Sequence, residues 1–370
     1  MGMELVLRKW MEKEMDRSIS YSTYMNLTLY DEDCGYYMKE REKIGRNGDF
    51  FTSSNISSVF AKTFARFFIR LVENGEIPPN ICEIGGGTGR FAYAVLQEWQ
   101  QSSPETFAKL QYSIVEVSPF HRRLQKRQLD FFQNVSQYKC YEELGESFTG
   151  LVFSNELFDA FPVKVVEKRD NYLYEVRITY TDEGKLGEVV RPLEERIKSY
   201  LQRHRIELSE GQRFEVPLAM GIYVQEIASW LKEGLFITVD YGYTKEEWMH
   251  PAHREGSLRG YYNHRLIRNP LKYPGEMDIT AHIHWDELKE IGEENALYTV
   301  WHTKQREFLL AAGILEQLAS HQDSDPFSAK QKQNRAIRSM ILHGGMSDAF
   351  DVVVQKKGMP HFESKQYLHI

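Results

Sequence analysis

Residues 81–90 read Ile-Cys-Glu-Ile-Gly-Gly-Gly-Thr-Gly-Arg. A short apolar run meets an acid, Glu83, then glycines at 85, 87 and 89, then a run from Phe91 to Trp99 with helical spacing. That order is strand, tight turn, helix. Glycine suits backbone at positive φ and places where a ligand comes close. The helix start behind the turn presents unpaired N–H groups and the positive end of a dipole. The chemistry is the holding of a nucleotide-like ligand at the carboxyl edge of a parallel sheet. Spacing narrows the ligand. A dinucleotide fingerprint needs a small residue where Arg90 stands, and Gly89 falls one position early. No Gly-Lys-Ser/Thr ending follows for a phosphate-cradling loop. The next apolar run, Tyr112-Ser-Ile-Val-Glu116, ends in an acid placed to accept from the two hydroxyls of a ribose. The plainer alternatives are a solvated strand-end acid for Glu83 and a surface carboxylate paired with Arg122 or Arg123 for Glu116.

These residues need a scaffold, and the pattern supplies one. Apolar runs at 81–84, 112–117, 150–154 and 235–240 alternate with helical stretches, which predicts a mainly parallel α/β sheet. Residues 4–30 read as helical, with Ser20 as a cap, and Asp31–Asp49 reads as loop. Ile56, Val59, Phe60, Phe64, Phe67, Phe68 and Leu71 form one helical stripe. Runs at 163–167, 173–179 and 187–190, with a turn at 182–184 and a helix over 193–204, predict an antiparallel insertion. Residues 241–280 read as a long loop rich in tyrosine, glycine and arginine, and such loops are usually functional. Helix and a last pair of strands, ending at 349–355, close the chain.

The 370 residues carry 46 Lys+Arg against 53 Asp+Glu, a net charge of −7. That balance argues against a general nucleic-acid or membrane-surface binder, so neither partner is expected. The basic run His121–Arg127 has helical spacing and reads as a solvated face. Three widely spaced cysteines, Cys34, Cys82 and Cys140, suggest neither a disulfide framework nor a zinc site. His282 and His284 lack a third ligand at convincing spacing, so no metal is assigned. No apolar signal region, acid-poor transit segment or run of 18 apolar residues stands in the sequence, and a cytoplasmic location is the expectation.

Several segments resemble one family. Gly45-Arg-Asn-Gly-Asp-Phe-Phe-Thr52, Glu83–Arg90, Val115-Glu-Val-Ser-Pro119 and Ser154-Asn-Glu-Leu-Phe-Asp-Ala-Phe-Pro162 are similar to blocks of the MidA family, as are Val239-Asp-Tyr-Gly242, Gly256–Arg265 and Pro274–His282. The blocks keep family order over nearly the whole chain, and the Asn-Glu-Leu-Phe-Asp and Gly-Asp-Phe blocks are more specific than the glycine turn. Gly86-Gly87-Thr88, Phe158 and Phe161 are mild departures. The resemblance implies a Rossmann-like class I methyltransferase fold with S-adenosylmethionine as cofactor. The texture along the chain itself predicts an N-terminal helical extension over 1–78, a core over 79–162 and 219–356, and an inserted α+β subdomain over 163–218. Mitochondrial members resemble protein arginine methyltransferases acting on a respiratory complex I subunit, which implies a protein substrate. Glu83 would sit beneath the turn and organise its amides. Gly48, Asp49 and Thr52 would form a lid or floor near the cofactor.

An arginine acceptor sets the hardest chemical demand, because its pKa lies above 12. Carboxylates must hold the guanidinium and draw its charge away from the attacking nitrogen. Asn155, Glu156 and Asp159 follow the buried run Leu151–Ser154, and Asp240 ends the next one. Glu156, with Asp159 or Asp240, is therefore the expected catalytic set. Asn155 joins Glu83, Gly85, Gly87, Gly89, Glu116, Gly48 and Thr52 as the expected cofactor-binding set. Helix capping or a turn before Pro162 would equally explain Asn155 and Asp159. A nucleobase methyltransferase would show Asn/Asp-Pro-Pro-aromatic where Asn155-Glu-Leu-Phe158 stands. A small-molecule methyltransferase and a cofactor-binding assembly chaperone remain as alternatives.

Overall fold

Each of the four apolar runs becomes a strand of one sheet. The computed structural model describes residues 2–41, 43, 49, 58–319, 325, 328–342, 344 and 348–363, and the chain divides into two compact units. One comprises Phe51–Leu157, Glu226–Tyr241 and Gly292–Ile370; the other comprises Met1–Phe50, Phe158–Gln225 and Gly242–Ile291.

The first of these is called the sheet unit. Among its described residues, seven strands run along the chain: β1 Asn80–Ile84, β2 Gln111–Val115, β3 Val135–Tyr138, β4 Phe148–Asn155, β5 Leu231–Tyr243, β6 Tyr298–Lys304 and β7 Phe350–Lys357. β5 crosses into the other unit after Tyr241. The spatial order is β6-β7-β5-β4-β1-β2-β3. β1 to β5 pair in parallel, and β7 runs antiparallel to both β5 and β6. The chain steps outward from β1 to β3, then returns to lay β4 on the far side of β1, with Ile81 opposite Leu151 and Ile84 opposite Ser154. The carboxyl ends of β1 and β4 therefore flank the switch point, where open α/β sheets bind ligands.

Helix α1, Ser58–Glu73, buries the expected stripe, with Phe60, Phe64, Phe67, Phe68 and Leu71 fully inside. Ile56 lies outside the described residues. Helix α2, Arg90–Ser102, places Phe91 flat on Phe153 of β4, with ring centroids 4.6 Å apart. Phe64 of α1 meets Phe153 at 5.1 Å. Each buried Phe is worth about 1.5–3 kcal/mol of transfer free energy. This aromatic layer ties the helix behind the glycine turn to the strand that delivers Asn155 and Glu156.

The other unit, called the insert unit, holds two antiparallel sheets. In one, Ile19–Ser20, Tyr172–Tyr180, Lys164–Arg169 and Arg213–Val216 lie side by side, with Leu186–Pro192 on Tyr172–Tyr180. The expected cap is present: the Ser20 side chain accepts from the Thr23 amide at the start of helix Tyr21–Tyr30. The second sheet corrects an expectation. Residues 241–280 are not simply loop, because Arg265–Ile267, Arg259–Tyr262 and Asp278–Thr280 form a three-stranded sheet. Asn263 and His264, both at positive φ, make its two-residue hairpin turn. Strands of three or four residues, rich in Arg and Tyr, carry too little alternation to be seen beforehand. Met277, Ile279 and Ala281 pack with Tyr24, Met25 and Leu29 in the unit's core.

Candidate active site

The glycine turn closes on itself. Gly85 N–H donates to the Val115 carbonyl at 2.8 Å, and Gly89 N–H donates to the Gly86 carbonyl at 2.9 Å. Gly85, Gly87 and Gly89 all take positive φ. Gly89 stands at φ 83° as the N-cap of α2, and a Cβ there would lie 2.9 Å from Gln125 Cγ. Gly86 has a different reason: its Cβ would lie 2.5 Å from Ile114 Cγ2. Gly89→Ala should therefore cost about 1–2 kcal/mol of stability from the left-handed backbone alone, read as a lower urea midpoint at unchanged slope. A midpoint equal to wild type would contradict this reading of the turn.

Glu116 braces the turn. Its buried carboxylate accepts from Gly87 N–H and from Ser118 N–H, both at 2.8 Å, and His121 Nδ1 lies 3.7 Å away. Arg122 donates to the Glu116 carbonyl rather than pairing with its carboxylate. Gln125 donates to the Gly87 carbonyl from the other side at 2.7 Å. Glu83, one strand inward, accepts from the Tyr112 hydroxyl at 2.8 Å. Of the two acids, Glu116 is thus the one whose carboxylate holds a turn amide.

Burial pushes the Glu83 carboxyl up to about 8, and the Glu116 charge adds to this against the Tyr112 hydrogen bond. A carboxyl whose pKa rises on folding holds its proton more tightly in the folded state. Its contribution is full below the unfolded value of 4.5 and is lost as pH rises toward about 8. Asp278, also pushed up to about 8 by burial, adds a slope of the same sign. Glu83→Gln should therefore weaken, without removing, the fall in stability between pH 5 and 8, as followed by urea denaturation across that range. An unaltered slope would show that Glu83 titrates normally.

β4 ends beside this turn. A Cβ on Gly85 would meet Leu157 Cδ1 at 3.0 Å, so the segment following Glu156 lies against the glycines. Glu156 takes φ 51°, a left-handed backbone that few non-glycine residues adopt and that concentrates at functional sites. Its N–H donates to the Val239 carbonyl at 2.9 Å, and Asn155 Nδ2 donates to its Oε1 at 3.1 Å. Asn155 Oδ1 is buried without a hydrogen-bond partner. Asn155 pairs with Val239, so Asp240 follows on the neighbouring strand one step later, fully buried, its Oδ1 accepting from Tyr241 N–H. The sheet unit thus brings Glu83, the three glycines, Glu116, Asn155, Glu156 and Asp240 to the carboxyl ends of four strands. Asp159 belongs to the insert unit, buried in a short 3₁₀ turn, and its carbonyl accepts from Ala281 N–H. Gly48 and Thr52 lie outside the described residues. Asp49 is buried and accepts from Tyr36 Oη and Arg41 Nη2. His282 stacks on Tyr243 and His284 hydrogen-bonds Tyr200; among the described residues no three His, Cys, Asp or Glu side chains are grouped to hold a metal.

Over residues 61–303 the chain matches, and belongs to, the family described as "Putative S-adenosyl-L-methionine-dependent methyltransferase". It is 26% identical to protein arginine methyltransferase NDUFAF7, mitochondrial, of Danio rerio, over 92% of this chain and 81% of that protein. The Mus musculus protein of the same name is 24% identical over 80% of this chain and 71% of its own. A solved superfamily member from Burkholderia thailandensis, bound to S-adenosyl-homocysteine, superposes with a TM-score of 0.87 at 27% identity, covering 98% of this chain and 95% of that one. The chain has the class I methyltransferase fold and is an S-adenosylmethionine-dependent methyltransferase. The expected cytoplasmic location is corrected: the Danio rerio, Mus musculus and Drosophila melanogaster relatives are all named as mitochondrial proteins, and the cytoplasm no longer stands as the assignment.

Proposed function

We propose that this methyltransferase modifies a protein side chain, an arginine, with Glu156 as the residue that holds the guanidinium and Asp240 assisting. The observation that supports this most is the Glu156 carboxylate, carried on left-handed backbone at the switch point and oriented by Asn155. The names of the curated relatives point the same way.

The residues at the turn fit the cofactor. Glu116 keeps lone pairs for ribose hydroxyls beyond the two amides it serves, and Asn155 Oδ1 still lacks a donor. Glu83, Gly85, Gly87, Gly89, Glu116 and Asn155 are the residues assigned to hold it, with Gly48 and Thr52 kept as expected contributors. When bound, S-adenosylmethionine supplies an electrophilic methyl group on a sulfonium. Glu156 would fix the acceptor nitrogen in line and keep the cationic charge on the other nitrogens, so that positioning does most of the work. Methyl-labelled S-adenosylmethionine offered to whole-cell protein, RNA and metabolite fractions tests the substrate class. Label confined to protein is the expected result. Label in RNA alone or in a neutral metabolite alone would refute the reading.

A further inference from the structure

Gly87 is held at both of its backbone polar groups. Its N–H donates to Glu116 Oε2 at 2.8 Å, and its carbonyl accepts from Gln125 Nε2 at 2.7 Å. Both partners come from one stretch of chain: Glu116 directly follows β2, and Gln125 lies on helix α3, Pro119–Leu129. Gln125 is fully buried. A buried glutamine gives up more rotamer freedom than a leucine would, and its amide must find partners at both ends. It does. Gln125 Oε1 accepts from Gln137 Nε2 at 2.7 Å, and the same Gln137 nitrogen donates to the Arg122 carbonyl at 2.9 Å.

Chemistry fixes the direction of this chain of amides. Gly87 and Arg122 each present a carbonyl, which can only accept. Flipping Gln125 would set oxygen against the Gly87 oxygen and nitrogen against nitrogen at Gln137. Flipping Gln137 would face its oxygen to two other oxygens. Linked amides also polarise one another, so the two bonds reinforce each other. The turn closes tightly on Gln125: a Cβ on Gly89 would stand 2.9 Å from its Cγ, and one on Gly86 3.3 Å from its Nε2. In a trans peptide the N–H lies opposite the carbonyl, so holding the Gly87 oxygen also sets the direction of the Thr88 N–H. Gln137 stands on the edge strand β3, in register with Ile114 of β2. A strand that supplies no residue to the assigned cofactor set is thus tied to the turn through two side chains.

We infer that Gln125 is a positioning residue for the cofactor, fixing the Gly87–Thr88 peptide of the turn, and that Gln137 acts on the cofactor only through Gln125. The inference rests on the reading above that the glycine turn and Glu116 hold S-adenosylmethionine. S-adenosylhomocysteine binding to the full chain is measured by calorimetry for wild type, Gln125→Met, Gln137→Met and the double variant, with urea denaturation as the check on folding. Methionine keeps the length of glutamine and removes the amide. Gln125→Met should weaken binding by roughly fivefold or more, as for a buried carbonyl left without its donor. Gln137→Met should weaken it by about two- to fivefold. The double variant should bind within about twofold of Gln125→Met alone, because the two residues act as one unit. A purely structural Gln125 would lower the urea midpoint and leave the dissociation constant of the folded protein unchanged, which overturns the inference. Losses that multiply in the double variant overturn the route through Gln125. If Gln125→Met does not fold, unaltered binding by Gln137→Met overturns the inference. Unaltered binding by Gln125→Met beside weakened binding by Glu116→Ala sinks the positioning role and leaves the turn as the cofactor site. Unaltered binding by both sinks the turn as the cofactor site and the inference with it.

Discussion

Glu156→Gln is expected to reduce methyl transfer by roughly a hundred- to a thousandfold, the scale on which preorganised charge in a site acts, while S-adenosylmethionine affinity stays within a few fold. Glutamine keeps the length and one acceptor oxygen, so Asn155 Nδ2 can still reach the side chain that it now holds at 3.1 Å. What the variant lacks is the negative charge. An arginine acceptor is cationic at any working pH, and only a carboxylate can hold it bidentately and polarise it. The backbone at φ 51° is untouched by the change, and the Glu156 N–H still donates to Val239. The effect should therefore fall on turnover with the cofactor still bound. A fully active Glu156→Gln would remove Glu156 from the chemistry and leave the methyltransferase itself in place.

Glu116→Ala should weaken S-adenosylmethionine binding by about 1–3 kcal/mol, or roughly 5- to 150-fold. Two costs combine. A ribose would lose its anionic acceptor, and the buried N–H groups of Gly87 and Ser118 would lose theirs. Glu116→Gln separates them, because its amide oxygen can still serve one amide while the charge is gone. Calorimetry on folded proteins decides the matter. A dissociation constant unchanged by Glu116→Ala would mean that the carboxylate only braces the turn.

Legibility followed range. The strand, glycine turn and helix at 80–102 are consecutive, and their signals are local, so spacing alone separated them from a dinucleotide site. The stripe of α1 was legible because Val59, Phe60, Phe64, Phe67, Phe68 and Leu71 kept one period. The edge strand β3 was not, since Val135-Ser-Gln-Tyr138 has a single apolar residue at its head and only partial burial. Nor was the sheet built from Arg259–Tyr262, Arg265–Ile267 and Asp278–Thr280, whose strands take their order from pairing and not from composition. The acids divide likewise. Glu116 could be read from its place at the end of an apolar run. Asp278 could not, because its burial comes from Tyr37, 241 positions earlier in the chain, and from its other long-range neighbours. Positive φ at Glu156 has no signature in a side chain that usually avoids it.

The claim on which most depends is that the methyl group ends on arginine. The direct measurement is incubation of the full chain with methyl-labelled S-adenosylmethionine and proteins from cells lacking the enzyme, followed by total hydrolysis and identification of the labelled amino acid by mass spectrometry. The account predicts label as methylarginine, lost when Glu156→Gln replaces wild type. Label on lysine, histidine or a carboxylate side chain, or on no amino acid while another class of molecule is methylated, would contradict it.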